Sequence, residues 1–186
     1  RILKKSNIIT FMLFFTATFI FSCQTSPQKI DALVKDTEEP VVISQGVEWL
    51  YTKNGTPSHR LSSPKVLRFD GQTEYIEFPL GLEIFTFDTL GEQEAFMKSE
   101  YAIQHLDDKT IKAKGSVLLE NHKGEKLETE SLFWDEKREQ IFTEAPVKIT
   151  NKDQIIIGEG FESNTSFSKY TLKNTRGIIN LDQADQ

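Results

Sequence analysis

The residues in this chain able to do covalent, acid–base or metal chemistry are few: one cysteine, three histidines and some paired carboxylates. His59, His105 and His122 are isolated, with no partner at metal-ligand spacing, so they read as surface or turn histidines and no metal site is expected. Gly158-Glu159-Gly160 lacks the third glycine and the following helix that would aim backbone N–H groups at a phosphate. A bulge inside a strand is the better reading of it. Glu38-Glu39 and Asp107-Asp108 fall in spacer or turn, where solvated charge explains them, and no Gly-x-Ser-x-Gly elbow is present. The pattern predicts a protein that is not an enzyme and needs no cofactor.

Cys23 is different, because of what precedes it. Arg1, Lys4 and Lys5 are followed by about 14 apolar or small residues and then Ser22-Cys23. A positive n-region, a short apolar core and a small residue before cysteine make a bacterial lipoprotein signal peptide. The apolar run is short for a crossing helix, which needs roughly 20 residues. Residues 1–22 are therefore expected to be removed and Cys23 to become an acylated N-terminus. An uncleaved anchor helix is the alternative, and either reading puts the rest of the chain at a membrane surface. The chain begins at Arg1 without a methionine, and the reading expects a trimmed start.

Charge narrows the partners. Leaving out Arg1, Lys4 and Lys5 takes the formal net charge from −6 to about −9. Such a chain has no electrostatic reason to bind nucleic acid, whose affinity rests on neutralised phosphates. It is an equally poor adsorber to anionic lipid, so covalent lipid must hold it to the membrane. With Cys23 the only cysteine there is no internal disulfide, and burial alone must hold the core.

The elements follow from punctuation and alternation. Residues 23–40 carry two prolines and few large apolar side chains, and read as the lipidated N-terminus and a flexible spacer. From Val41 the apolar residues alternate, as at Ile111, Ala113, Gly115, Val117 and Leu119, which signals half-buried strands. Turn residues recur at 54–55, 70–71, 90–91, 107–108, 121–124, 135–137, 151–153 and 164–166. The intervals exceed the 8–12 residues usual for a sandwich, so long antiparallel strands joined in simple succession are expected. A loose strand–turn–strand repeat through the second half suggests a rolled sheet. Gly115, Gly158 and Gly160 inside strands mark bulges or corners.

Fourteen phenylalanines supply apolar surface on both faces of several strands. A closed core with some exposed rings and an open apolar groove share one residue alphabet, and the residues alone leave both readings open.

A family resemblance adds to this. The chain reads EWLYTKNGTPSHRL at 48–61, EAFMKSEYAIQH at 94–105 and KAKGSVLLENHKGEKLETESLFWD at 112–135. It continues IFTEAPVKI at 141–149, IIIGEGFESNTSF at 155–167 and YTLKNTRG at 170–177. In this order the motifs resemble the LptC family of lipopolysaccharide-export proteins, in the lipoprotein form of Bacteroidetes-type bacteria, related to the LptA/OstA-like domains.

The resemblance implies an all-β fold, a twisted half-open β-jellyroll over residues 41–179 with a polar tail at 180–186. It implies a periplasmic lipid-transfer component that takes lipopolysaccharide from an inner-membrane ABC transporter and passes it to an LptA-like bridge protein. Lipid A acyl chains would travel in an apolar groove. In-phase placement on the expected strands assigns its lining to Phe85, Phe87, Met97, Tyr101, Ile103, Val117, Leu119, Phe133, Ile141, Val147, Ile149, Ile157, Phe161 and Phe167. The last strand, with Tyr170, Leu172, Thr175 and Ile178, would be the partner edge. Many relatives carry an uncleaved helix where this chain has a lipobox. The anchor is placed at the inner membrane, with the outer membrane as the alternative. The competing function is a membrane-tethered β-roll lipoprotein that binds glycans or another protein.

Overall fold

The computed structural model describes residues 39–181. Cys23, the leader, nearly all of the spacer and the tail after Leu181 lie outside the described residues, and the expectations about them with it.

Turn chemistry decides where each strand ends. At Asn54 and Gly55 both φ angles are positive, 54° and 81°, the conformation a two-residue hairpin requires. Elsewhere a short polar side chain closes the loop onto its own backbone. Asn121 Oδ1 accepts from the Lys123 and Glu125 N–H groups, and Asn151 Oδ1 from those of Asp153 and Gln154. Asp88, Asp108, Asp135 and Asn164 do the same in their turns. Each expected turn is a real one.

Between these turns run eleven strands: β1 (Val42–Lys53), β2 (Thr56–Phe69), β3 (Tyr75–Phe78), β4 (Leu82–Phe87), β5 (Gln93–Ser99), β6 (Tyr101–His105), β7 (Thr110–Asn121), β8 (Lys126–Asp135), β9 (Gln140–Thr150), β10 (Gln154–Asn164) and β11 (Tyr170–Asn180). All pairings are antiparallel and belong to one sheet. Only Pro79-Leu80-Gly81 separates β3 from β4, and only Glu100 separates β5 from β6. β2 pairs with both β3 and β4, and β7 with both β5 and β6. Each of those broken pairs is therefore one long strand bent in the middle. Counted so, the sheet is a meander in chain order from β1 to β11.

The bends line up across the sheet. Gly46 interrupts β1 opposite Pro64 of β2, whose missing N–H suits a gap in the ladder. In β7 the register slips between Lys114 and Val117, where Gly115 and Ser116 both have positive φ. It slips between Thr129 and Phe133 in β8, and between Glu159 and Phe161 in β10, where Gly160 has φ 74°. At the first slip β7 carries one residue more than β8, and at the other two β9 carries one more than its neighbour; the mismatch turns the strands at the corner. This row of bulges folds the sheet along one line into two walls.

The walls face each other and share one core. Leu61, Ile84, Met97, Leu119, Leu127 and Ile149 come from one wall; Phe78, Ile111, Leu132, Trp134, Ile141 and Phe161 come from the other. Trp49 meets Phe78 edge-on across the gap, with ring centroids 6.2 Å apart. Phe78, Phe161 and Phe167 are fully buried. The interior is thus filled by the protein's own side chains, as close packing requires.

Candidate functional site

Cross-strand register makes the interior a continuous apolar track. Trp49 pairs with Leu61, Leu61 with Ile84, Ile84 with Met97 and Met97 with Leu119. Leu119 then pairs with Leu127, Leu127 with Ile149, Ile149 with Ile156 and Ile156 with Ile178. Directly paired residues lie on one face, so nine apolar side chains form a single row from one edge strand to the other. At the strand spacing of a sheet this row is roughly 40 Å long. Its far end is open: Ile178 is 58% exposed, although it shares a face with buried Ile149.

Both ends of the row are edges. Among the described residues β1 pairs only with β2, and β11 only with β10. Of the expected edge residues, Tyr170 and Leu172 lean on the core, whereas Thr175 and Ile178 are exposed. β1 likewise exposes Val42, Ile43 and Leu50. Unpaired edges of this kind are templates for another strand.

Not every residue expected in the lining faces inward. Met97, Val117, Leu119, Ile141, Val147, Ile149, Phe161 and Phe167 are buried inside. Five stand on the outer face instead. Phe85 pairs with Phe96 and lies under the Arg60 guanidinium, 4.5 Å from the ring centroid. Leu82 and Ile84 hold the inward phase there, separated by exposed Glu83. Tyr101 and Ile103 point out because Ala102 and Gln104 take the inner positions. Ala102 sits opposite the large Phe78 ring, where a bulky inner residue would not fit. Tyr101 hydrogen-bonds Glu77 from outside, and burial together with that carboxylate pushes its phenol upward. Phe133 stacks on Phe142 at 5.3 Å under the Lys112 ammonium. Ile157 is outward and 40% exposed, since the bulge at Gly160 reverses its phase relative to Phe161. Phe87, beyond a slip in β4, is half-buried beside a cleft at the rim.

The sequence reading missed Trp49, Leu61, Ile84, Leu127 and Ile156. The alternation Leu82-Glu83-Ile84 and the repeated Leu/Ile before each bulge carried that signal. Weighting aromatic residues over phase hid it.

The rim opposite the corner is where the walls meet again. His59 stacks on Tyr51 at 4.3 Å and meets Trp134 of the other wall edge-on at 5.2 Å. Burial lowers the His59 pKa to about 4, so the ring is neutral at pH 7. These residues border a cleft of about 270 Å³ together with Glu94, Glu136, Glu139 and Thr165. Burial raises the Glu136 pKa. Lys53 pairs with Glu139 across the rim at 3.3 Å, an exposed contact worth little energetically. Two other clefts, of about 430 and 610 Å³, lie along the corner rather than between the walls.

Among the described residues no group of His, Cys, Asp or Glu is arranged to hold a metal ion. Some exposed charges are paired across strands, as Lys148 with Glu128 at 2.8 Å and Lys173 with Glu144. What the geometry presents is an apolar track with two open edges.

Comparison with curated proteins gave no match. The lipopolysaccharide-assembly, LptC-related family matches residues 9–180. That match spans the whole rolled sheet. With the all-β meander and its apolar interior, it establishes that the chain belongs to the LptC family and to the lipopolysaccharide transport machinery of the cell envelope.

Proposed function

We propose that this protein is a relay without catalysis. It receives lipopolysaccharide from an inner-membrane ABC transporter, carries the acyl chains between its two walls and hands them to an LptA-like bridge protein. The observation that carries this reading is the apolar row from Trp49 to Ile178. It runs across the strands and ends on each side at a strand with no second partner among the described residues. A partner that added a strand to β11 would extend the same row without a break, because pairing continues the inner face from strand to strand. Ile178, exposed at the end of the row, would then be covered. We assign acylated Cys23 as the membrane attachment, with two or more acyl chains giving stable anchoring.

Photocrosslinking in cells tests the reading. A photoreactive side chain at Ile178 or Ile156 is expected to capture lipopolysaccharide, and one at outer-face Phe133 is not. Equal capture from both faces, or none from the inner row, would defeat it. The docking edge is tested separately by proline at Leu172 or Thr175. The two residues stand three apart on β11, so their N–H groups face opposite sides. The proline that removes the N–H facing away from β10 is expected to reduce copurification of the bridge protein more than alanine there. The other, which removes a β10–β11 bond, is the control. Equal recovery from folded proline and alanine variants would move the docking edge to β1.

A further inference from the structure

Most of the buried interior comes from strands; Phe167 comes from a turn. It lies in the β10–β11 loop, yet its ring is fully buried, 5.6 Å from Phe161 and 5.4 Å from Tyr170. To reach that place its backbone takes φ 50°, a left-handed conformation unfavourable for a phenylalanine.

The loop is organised within itself. Asn164 accepts from the Ser168 and Lys169 N–H groups and donates to the hydroxyls of Ser166 and Ser168. Its bond to the opposite wall is made by one side chain. Asn121 Nδ2 donates to the Phe167 carbonyl at 2.9 Å, a buried contact between the end of β7 and this turn. Asn121 keeps its own turn through Oδ1 and through a second Nδ2 bond to Glu125 at 2.6 Å, so the latch can break without unfolding either loop.

We propose that the space filled by the Phe167 ring is a binding site for one acyl chain of a lipid, and that Phe167 is a removable plug held by Asn121. This rests on the lipid-transfer reading. Behind the rim cleft the interior is filled by side chains such as Phe161 and Phe167, so something apolar has to leave before a chain can enter it. A ring carried on a self-contained turn, in an unfavourable backbone conformation and fastened by one cross-wall hydrogen bond, is easier to displace than a strand residue such as Phe161. Its neighbours Phe161 and Tyr170 would line the vacated site, and both are suited to a hydrocarbon chain.

The test uses the full-length protein in lipid nanodiscs and measures its association rate with fluorescently labelled lipopolysaccharide. Phe167→Ala is expected to associate at least threefold faster than the unsubstituted protein. Asn121→Asp in a Glu125→Gln background, which keeps the turn acceptor, loses the donor to Phe167 and avoids setting two carboxylates against each other, is expected to be faster as well. It also decides the matter if Phe167→Ala fails to fold by circular dichroism. Unchanged or slower association of the folded variants, with binding by the unsubstituted protein intact, would overturn the plug and leave the transfer reading standing. Binding by none of the proteins would overturn the transfer reading and the plug with it.

Discussion

His59 and Trp134, on strands from opposite walls, meet edge-on with ring centroids 5.2 Å apart. The contact closes the rim of the roll opposite its bent corner. It also removes an imidazole from water, which penalises the charged form.

That penalty makes rim stability depend on pH. The His59 pKa in the folded protein, about 4, is below its ordinary 6.5. Between those values the unfolded chain binds the extra proton, so stability is present above pH 6.5 and declines as pH falls towards 4. Partial exposure and the nearby Glu94, Glu136 and Glu139 limit the effect to about 1–2 kcal/mol. Glu136, its pKa raised, pulls the other way, so the comparison with His59→Gln is the informative one. Urea melts at pH 7 and pH 5 are expected to show a steeper loss for the unsubstituted protein than for His59→Gln. Parallel losses would mean that His59 does not titrate on unfolding.

Inner and outer phenylalanines should differ in what they hold together. Phe161→Ala removes a fully buried ring and is expected to cost about 3–5 kcal/mol. Phe133→Ala removes an outer stacking partner, worth about 0.5–1.5 kcal/mol beyond its area. Chemical denaturation of both variants measures the gap. Similar losses would contradict the assignment of faces.

Two glycines near the β11 edge separate space from flexibility. A Cβ at Gly158 would lie 2.9 Å from the Asn174 carbonyl oxygen, which is backbone and cannot swing away. A Cβ at Gly177 would meet nothing within 4 Å. Gly158→Ala is therefore expected to loosen β10–β11 pairing and speed amide exchange along β11. Gly177→Ala should leave that exchange within about 0.5 kcal/mol of the parent. Exchange measured by mass spectrometry distinguishes them.

Acylation of Cys23 makes a chemical prediction. Mass spectrometry of the protein isolated from membranes should find an N-terminus at Cys23 carrying diacylglycerol, and Cys23→Ala should retain residues 1–22. A native protein that keeps those residues would show a helix anchor instead.

Local chemistry determined a good deal by itself. Asn, Asp and Gly at fixed intervals placed the hairpins, because their side chains close turns without help from the rest of the fold. The long intervals determined long strands in simple succession. The inner phase was legible for Met97, Val117, Leu119, Ile141, Val147 and Ile149, where alternation runs unbroken through the half-strand.

Which face the other residues occupy was decided only by the tertiary structure. A bulge adds one residue and inverts every later side chain on its strand, and its position depends on where the whole sheet must bend. Ile157 and Phe161 are both odd-numbered yet lie on opposite faces because Gly160 intervenes. Phe85 and Phe133 are as apolar as any core residue, but their partners Phe96 and Phe142 are on the outside with them. Phe167, in a turn, has no strand phase to read at all. It is interior only because the walls close around it and Asn121, distant in the chain, holds its carbonyl. Alternation is local, whereas the corner that turns a sheet into a roll is a property of all its strands together.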